Sequence, residues 1–279
     1  MSLDTQFNPR LAVANAAAIL TERRRLSLAA AEQLTVLRKN YGAGAREHFI
    51  ATHPSLEYGE MSPAVIFLHG GYWRSGEAED NLVLAPAIAG MGARPIFLGY
   101  PLCPTATLSE VVAAVRRGID AIISQAVVLG FDPGRVVLAG TSAGAHLAAC
   151  ALKDETIASR VSGALLLTGI YDLTPVPLIQ VNDEIGVTEA DVRDHSPLFA
   201  RYPRVRSVFA VGGLETAMWR AQSFAMAALA ESGGAPTTLI DVPGRHHFDL
   251  VMELLSATSE LRRALCELLE TSFPIAPNR

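Results

Sequence analysis

Residues 136–147 read VVLAGTSAGAHL, so an apolar run leads directly into a glycine-rich turn and then into a helix-like stretch. The pentapeptide at 140–144, GTSAG, has the pattern G-x-S-x-G. Such a strand-to-helix turn forces the serine into a cramped backbone conformation, and the two glycines let the chain pass close to itself. The hydroxyl group is then exposed above the sheet, beside the N-terminus of the next helix. The stretch therefore makes Ser142 a candidate nucleophile.

Short apolar runs on both sides of this turn are typical of buried strands. Most of them are continuous rather than alternating, as expected for parallel strands that helices cover on both faces. The sequence therefore predicts an α/β protein with a mostly parallel central sheet flanked by helices. The predicted strands are residues 64–68, 95–98, 136–139, 164–167, 208–211 and 238–242. The predicted helices lie at about 81–91, 108–129, 143–153, 217–232 and 250–270.

Two segments depart from this alternation. Residues 9–39 are rich in Ala, Leu, Arg and Glu and predict one or two helices. We expect residues 1–45 to form an N-terminal helical segment, which either caps the site or builds a homodimer contact, ahead of an α/β domain over 46–279. Residues 171–203 hold several prolines and many charges with little strand character, which predicts a lid-like insertion.

The composition limits the classes of function. The chain has 279 residues, of which 50% are hydrophobic and 18% charged, so it can bury a large core. Its net charge is −5 and it has no long basic run, which argues against a nucleic-acid partner. No apolar run reaches the ~20 residues of a membrane span. Three widely separated cysteines suit reduced thiols in the cytoplasm and lack metal-ligand spacing. We expect a small-molecule substrate and neither a metal nor an organic cofactor.

A serine is a poor nucleophile at neutral pH and needs a histidine to accept its proton. In folds with this serine turn, the acid and then the histidine follow on loops after later strands. Of seven histidines, only His195, His246 and His247 lie well beyond Ser142, and only the last two follow the last predicted strand. We favour His247 as the base, because the sequence His-Phe-Asp then begins the closing helix.

The carboxylate that orients the histidine is expected after the penultimate strand. Glu215 lies there, in the sequence Val-Gly-Gly-Leu-Glu. Asp172, after the preceding strand, is the alternative. Asp241 lies within a predicted strand and Asp249 is only two residues from His247, so both fit the role less well.

An acyl-transfer site also needs donors for the oxyanion that forms on the attacked carbonyl. The sequence HGGYW at 69–73 follows a predicted strand directly, and its two glycines let backbone amides turn toward a substrate. The amide of Ala143 is expected to face them. We expect His69 to brace this loop rather than to act in catalysis. Tyr72 and Trp73 either pack in the core or form one wall of an aryl-binding pocket.

These motifs resemble the α/β-hydrolase superfamily, and within it the kynurenine formamidases (arylformamidases) and related short-chain esterases. The resemblance extends from Tyr41 to about Leu269, and its most specific parts are residues 69–73, which match the family signature H-G-G-x-W, and residues 140–147. It implies a nucleophile at Ser142, an acid at Glu215 and a base at His247. Hormone-sensitive-lipase-like relatives often have a third glycine where this chain has tyrosine, and many relatives have aspartate in place of the glutamate.

The resemblance implies a serine hydrolase that removes a small acyl group from an aryl formamide such as N-formylkynurenine. Amides of Gly71, Tyr72 and Ala143 are then expected to bind the oxyanion, and Tyr72 and Trp73 to contact the substrate. The alternative is a carboxylesterase acting on short-chain esters. A thioesterase or acyltransferase would use the same serine. A non-catalytic binding protein would be expected to lack one of the three catalytic residues, and none is missing.

Overall fold

The computed structural model of the protein describes residues 2–53 and 62–270. Its centre is an eight-stranded sheet with the spatial order β1-β2-β4-β3-β5-β6-β7-β8. Strands β3 to β8 run parallel to one another, whereas β2 is antiparallel to both β1 and β4. The strands are β1 (Thr35–Asn40), β2 (His48–His53), β3 (Ala64–Leu68), β4 (Arg94–Leu98), β5 (Val136–Thr141), β6 (Gly163–Leu167), β7 (Ser207–Gly212) and β8 (Thr237–Val242).

Helices of very different length connect these strands. The α-helices are α1 (Leu3–Phe7), α2 (Pro9–Ala12), α3 (Ala16–Glu32), α4 (Ala85–Ala89), α5 (Leu108–Ser124), α6 (Ala126–Leu129), α7 (Ala143–Leu152), α8 (Glu155–Ala158), α9 (Asn182–Ile185), α10 (Glu189–His195), α11 (Ala217–Ser232) and α12 (Glu260–Glu270). Short 3-10 helices cover Ala78–Leu84, Val176–Leu178, Pro197–Phe199 and Leu250–Leu255.

The six predicted strands are confirmed, and so is the α/β-hydrolase fold class with its mostly parallel sheet. One prediction is wrong at its end: residues 35–39 were expected in a helix but belong to strand β1. The strand is largely exposed and lies at the sheet edge. Its sequence therefore shows neither the continuous apolar run nor the clear alternation by which strands are recognised.

Alternate residues of each central strand face two separate cores. In β3, Ile66 and Leu68 contribute to a core with α5, α7 and α11. Val65 and Phe67 point to the opposite face, where the 3-10 helix Ala78–Leu84, α4 and α12 pack. Burial on both faces explains why these strands are continuous apolar runs.

The N-terminal helices lie at the end of the sheet where the parallel strands have their carboxyl-terminal ends. Phe7 of α1 is buried, and its ring lies 6.3 Å from that of Trp219 on α11. The Thr216 hydroxyl donates to the carbonyl of Gln6 at 2.6 Å. Ser27 of α3 is buried and donates to the carbonyl of Asp80 at 2.9 Å. Residues far apart in sequence thus attach this segment to the loops after β3 and β7.

Residues 171–203 form a compact excursion of short helices between β6 and β7. Leu173, Val176 and Ile185 of this segment are buried in the core that also holds α5, α7 and α11. A lid role for this segment and a domain boundary near residue 45 stay predictions. Across residues 2–53 and 62–270, no helix is long and apolar enough to cross a membrane.

Candidate active site

Ser142 lies between β5 and α7 with φ 56° and ψ −121°, a conformation that residues with a side chain rarely adopt. Its amide donates to the carbonyl of Leu167 at 2.9 Å, which ties the turn to β6. Backbone strain of this kind is held by the surrounding structure and concentrates at functional sites. The turn holds the serine hydroxyl at the end of the sheet, as the G-x-S-x-G pattern predicts.

Gly144 shows why this turn needs glycine after the serine. A methyl group on its Cα would lie 2.2 Å from the carbonyl oxygen of Leu68 and 2.5 Å from that of His69. Both are rigid backbone atoms. The absence of a side chain thus lets α7 begin directly against the end of β3, where the His-Gly-Gly loop starts.

The structure brings the three residues proposed for acyl transfer into one hydrogen-bonded row. His247 Nε2 lies 2.9 Å from Ser142 Oγ. On the other side of the ring, His247 Nδ1 lies 2.7 Å from Glu215 Oε2. The side chains of His247 and Glu215 are 6% and 2% exposed, so water hardly screens this pair.

Thr168, which the sequence analysis did not single out, completes the row. Its hydroxyl donates to Glu215 Oε2 and lies 3.0 Å from His247 Nδ1. The amide of Gly212 donates to the other carboxylate oxygen, Oε1, at 2.8 Å. The Trp219 indole donates to Thr168 and packs edge-on against His247 at 4.7 Å between ring centres. These contacts hold the carboxylate and the imidazole in one orientation.

The alternatives weighed for the base and the acid have other partners. His246 Nδ1 faces Asp249 at 3.1 Å rather than the serine. Asp172 accepts from the amide of Thr174 at 2.8 Å and closes a turn. Asp241 lies on the edge strand β8 and pairs with Arg220 of α11. The geometry therefore favours His247 and Glu215.

The loop after β3 lines the same cavity as Ser142. Gly71, Tyr72 and Trp73 all have positive φ, at 128°, 54° and 57°. Within the described residues, the amides of Gly71, Tyr72 and Ala143 donate to no protein acceptor. Donors that the fold leaves free beside a nucleophile are suited to an oxyanion.

Tyr72 and Trp73 have different surroundings. Tyr72 lines the cavity above Ser142, and its hydroxyl donates to the carbonyl of Phe7 at 3.0 Å. Trp73 is fully buried and donates from Nε1 to His146 Nδ1 at 3.1 Å. The expectation that Trp73 contacts the substrate is corrected by this burial. The second aromatic residue of the cavity is Phe248, whose ring lies 5.2 Å from that of His247.

His69 braces the same loop from behind, as predicted. Its ring stacks on that of Tyr100 at 4.1 Å, and its Nδ1 donates to the carbonyl of Gly70 at 2.8 Å. The Tyr100 hydroxyl donates to the carbonyl of His69 at 2.6 Å. Burial lowers the pKa of His69 from 6.5 to about 4, so the ring is neutral at physiological pH.

A cavity of about 260 Å³ opens above Ser142 and His247. This is slightly below the usual size of sites for drug-like molecules and fits a small substrate. Its floor is the serine turn and the His-Gly-Gly loop, and residues of α2 and α3 form much of its rim. The described residues that line it are Asn8, Pro9, Arg10, Leu20, Thr21, Arg23, Arg24, Gly70, Gly71, Tyr72, Arg74, Ser75, Gly76, Asp80, Thr141, Ser142, His247 and Phe248.

The described residues include no cluster of three or more His, Cys, Asp or Glu side chains that could hold a metal ion. The cysteines do not contribute to the row described above. Cys150 of α7 is buried, and burial raises the pKa of its thiol to about 12. A thiol that stays protonated is a small apolar side chain rather than a reactive one.

Comparison with known proteins identifies the family of the chain. A family model of the α/β-hydrolase fold matches residues 65–249, from β3 to the loop after β8. The chain belongs to the α/β-hydrolase family, and it is a hydrolase.

Its similarity to individual proteins is more specific. A kynurenine formamidase from Salmo salar is 31% identical to it over 252 residues, covering 85% of this chain and 83% of that protein. A kynurenine formamidase from Danio rerio is 29% identical over 248 residues, with the same coverage of 85% and 83%. These relatives confirm the resemblance drawn from the motifs.

Among solved structures, an esterase from Pyrobaculum calidifontis has the same fold. It matches with a TM-score of 0.72 and 19% identity, covering 92% of this chain and 93% of that one. At this identity the likeness concerns the fold alone. The kynurenine formamidase relatives, in contrast, place the chain among hydrolases of the formamidase or esterase kind.

Proposed function

We propose that this protein is a serine hydrolase that removes the formyl group from an aryl formamide such as N-formylkynurenine. The observation that carries the proposal is the hydrogen-bonded row from Ser142 through His247 to Glu215, beside free amides on two loops. The similarity to kynurenine formamidases supports the choice of substrate.

The first step is attack by Ser142 Oγ on the formyl carbonyl carbon. His247 accepts the serine proton at Nε2, and Glu215 stabilises the resulting imidazolium through Nδ1. The carbonyl oxygen gains the negative charge and is bound by the amides of Gly71, Tyr72 and Ala143. Thr168 has a positioning role, because it holds the carboxylate against the ring.

The second step releases the aryl amine. His247 donates its proton to the amine nitrogen as the C–N bond breaks, which leaves a formyl ester on Ser142. Water then attacks this ester while His247 accepts one of its protons. Collapse of the second tetrahedral intermediate returns a proton to Ser142 and releases formate. No redox change occurs, and no group other than water is consumed.

The size and lining of the cavity suit this substrate class. A formyl group occupies little space near Ser142, so most of the cavity of about 260 Å³ is available to the aryl amine. The rings of Tyr72 and Phe248 provide aromatic contacts there. A short-chain ester would use the same atoms, and carboxylesterase activity is therefore the alternative that the experiment must separate.

The test compares kcat/KM of the purified protein for N-formylkynurenine and for 4-nitrophenyl acetate. We expect the formamide to be hydrolysed at least as efficiently as the ester. A formamide value hundreds of times below the ester value would instead assign the protein as a carboxylesterase.

Two serine variants test the nucleophile. Ser142→Ala is expected to lower kcat by about 10⁴-fold or more, as losses of nucleophiles do in other serine hydrolases. Ser223→Ala is the matched control, because Ser223 is also buried, lies on α11 and its hydroxyl has no hydrogen-bond partner among the described residues. Undiminished turnover by the first variant would overturn the assignment.

A further inference from the structure

The residues that line the cavity carry a net positive charge, although the whole chain is negatively charged. The whole chain has a net charge of −5. The described residues that line the cavity nevertheless include four arginines, Arg10, Arg23, Arg24 and Arg74, against a single carboxylate, Asp80. The N-terminal helices contribute three of these arginines.

Two of the four arginines are already neutralised. Arg24 pairs with Glu77 and Asp80, each at 3.0 Å. Arg74 pairs with Glu184 of α9. These two guanidinium groups hold the loops of the rim together and have little left to offer a ligand.

Arg23 is different. It is partly buried on α3, and its side chain forms neither a hydrogen bond nor an ion pair with any described residue. Asp80, the carboxylate whose charge acts on Arg23, already accepts at Oδ1 from Arg24 and at Oδ2 from the amide of Glu77 at 2.9 Å. Burial lowers the pKa of Arg23, and the negative charge of Asp80 offsets part of this effect.

A partly buried guanidinium group without an ion-pair partner attracts an anion more strongly than a fully exposed one, because water screens its charge less. Arginine presents planar paired donors that match a carboxylate in two parallel hydrogen bonds. Arg10 is exposed, lines the same cavity and adds a second positive charge. A carboxylate in the cavity would therefore find guanidinium donors among the residues that line it.

We propose that Arg23, assisted by Arg10, binds a carboxylate carried by the leaving group, so that the enzyme selects anionic aryl substrates. The inference rests on the proposed function, since with a formyl acyl group the remainder of the cavity holds the leaving group. The amino-acid group attached to the aryl ketone of N-formylkynurenine carries such a carboxylate. A simple aryl formamide or neutral aryl ester has none.

The test uses two aryl acetates that differ only in this charge, 3-acetoxybenzoate and its methyl ester. The measured quantity is the ratio of kcat/KM for the acid to that for the methyl ester. In Arg23→Gln we expect this ratio to fall about 10- to 100-fold, the usual effect of losing a hydrogen bond to a charged group, with most of the change in KM of the acid. Arg23→Lys keeps the charge but loses the paired geometry, so we expect an intermediate ratio.

The matched control is Arg25→Gln. Arg25 lies on the same helix, pairs with Glu22 at 2.7 Å and does not line the cavity. We expect its ratio to stay within about twofold of the wild-type value, because distant exposed charges are screened. An equal fall in both variants would show a general effect of net charge, and an unchanged ratio in Arg23→Gln would refute a carboxylate site.

A binding measurement gives a readout that does not depend on turnover. Calorimetric titration with 3-hydroxybenzoate and with its methyl ester should show a preference for the acid that Arg23→Gln removes. Equal binding of both compounds by the wild type would overturn the proposal. None of these probes is a formamide. Poor hydrolysis of N-formylkynurenine would therefore refute the proposed substrate without deciding whether Arg23 binds a carboxylate.

Discussion

Thr168 connects the acid and the base of the site through a single hydroxyl group. It directly follows β6 and has φ 44°, an unusual value for a β-branched residue. Its amide donates to the carbonyl of Ala210 at 2.6 Å, which helps to hold this backbone conformation. The strained backbone aims the hydroxyl at Glu215 and His247 instead of at solvent.

Replacing Thr168 by valine keeps the shape of the side chain and removes the hydroxyl. We expect kcat to fall about 10- to 100-fold, since the carboxylate and the imidazole lose a common partner that is worth about 1.5–3 kcal/mol. Thr168→Ser retains the hydroxyl and is expected to stay near the wild-type rate. Circular dichroism and melting curves would show whether each variant is folded. An equal loss of activity in both variants would indicate a packing role instead.

Among individual residues, the sequence predicts those whose chemical role and order along the chain are both constrained. Ser142, Glu215 and His247 were reached through the serine turn and the required order of partners. Thr168 and Trp219 were missed, because a hydroxyl and an indole after or near strands are common and only the distances among β6, β7 and β8 give them a role. Trp73 was assigned to the cavity because no sequence pattern separates a buried aromatic residue from an exposed one beside it.

Among the elements, the loop after β3 depends most on its backbone conformation. Gly71 has φ 128°, and a methyl group on it would lie 2.0 Å from the carbonyl oxygen of Ser75. In Gly71→Ala the loop must shift, and its amides then move away from the oxyanion. We expect kcat to fall about 10²- to 10³-fold, the usual effect of losing an oxyanion donor.

Gly92→Ala is the control for this prediction. Gly92 also has a positive φ of 75°, but a methyl group there would meet nothing within 4 Å. We expect a stability cost of about 1 kcal/mol from the backbone strain and no change in kcat. If Gly71→Ala retained full turnover with a lowered melting temperature, the loop would have a structural role only.

Phe7 is the buried side chain of helix α1. Phe7 is 1% exposed and packs against Trp219, and Tyr72 donates to its carbonyl oxygen. In Phe7→Ala we expect the loss of about 3–5 kcal/mol of packing to detach α1 locally before the sheet unfolds. KM should rise, and hydrogen exchange should increase in residues 3–12 alone.

The exposed Leu11 offers a matched control for this helix prediction. Its side chain is 56% exposed, so Leu11→Ala should change neither KM nor exchange rates. A uniform rise in exchange throughout Phe7→Ala would mean that the N-terminal helices and the sheet unfold as one cooperative unit.

Helices and strands are predicted best from the sequence where their residues are fully buried. The central strands are recognisable because both faces are covered, and α5 because Thr107 and Glu110 form the predicted capping box. Strand β1 was assigned to a helix because an exposed edge strand of mixed polar and apolar residues carries little periodicity. The N-terminal helices were predicted, but their contacts with the loops after β3 and β7 depend on residues about 50 to 210 positions away.

For the whole molecule, two buried neutral histidines make the free energy of unfolding depend on pH in acid. Burial lowers the pKa of His69 to about 4 and that of His146 to about 3, from 6.5. His146 Nδ1 must stay unprotonated to accept from Trp73, while Nε2 donates to the carbonyl of His195 at 2.7 Å. Between pH 6.5 and these lowered values, the unfolded chain binds protons that the folded chain does not.

The free energy of unfolding is therefore expected to fall as the pH falls below 6.5. Each pKa unit corresponds to about 1.4 kcal/mol, so each histidine should cost roughly 2–3 kcal/mol between pH 7 and pH 4.5. Urea unfolding at both pH values would measure this difference. His146→Gln preserves an acceptor and a donor without the titration, and its pH dependence should be shallower. The same slope in both proteins would contradict the assignment.

Contacts between residues far apart in the sequence assemble the site above Ser142 and dock the N-terminal helices. The bond between Thr216 and Gln6 spans 210 residues, and that between His247 and Ser142 spans 105. Contacts of such long sequence separation form late in folding, because the chain must close large loops before it gains them. During refolding, activity should therefore recover after the tryptophan fluorescence that reports core formation, and simultaneous recovery would disprove this order. The N-terminal helices therefore gain a surface on which to dock only after residues 210 positions further along the chain have folded.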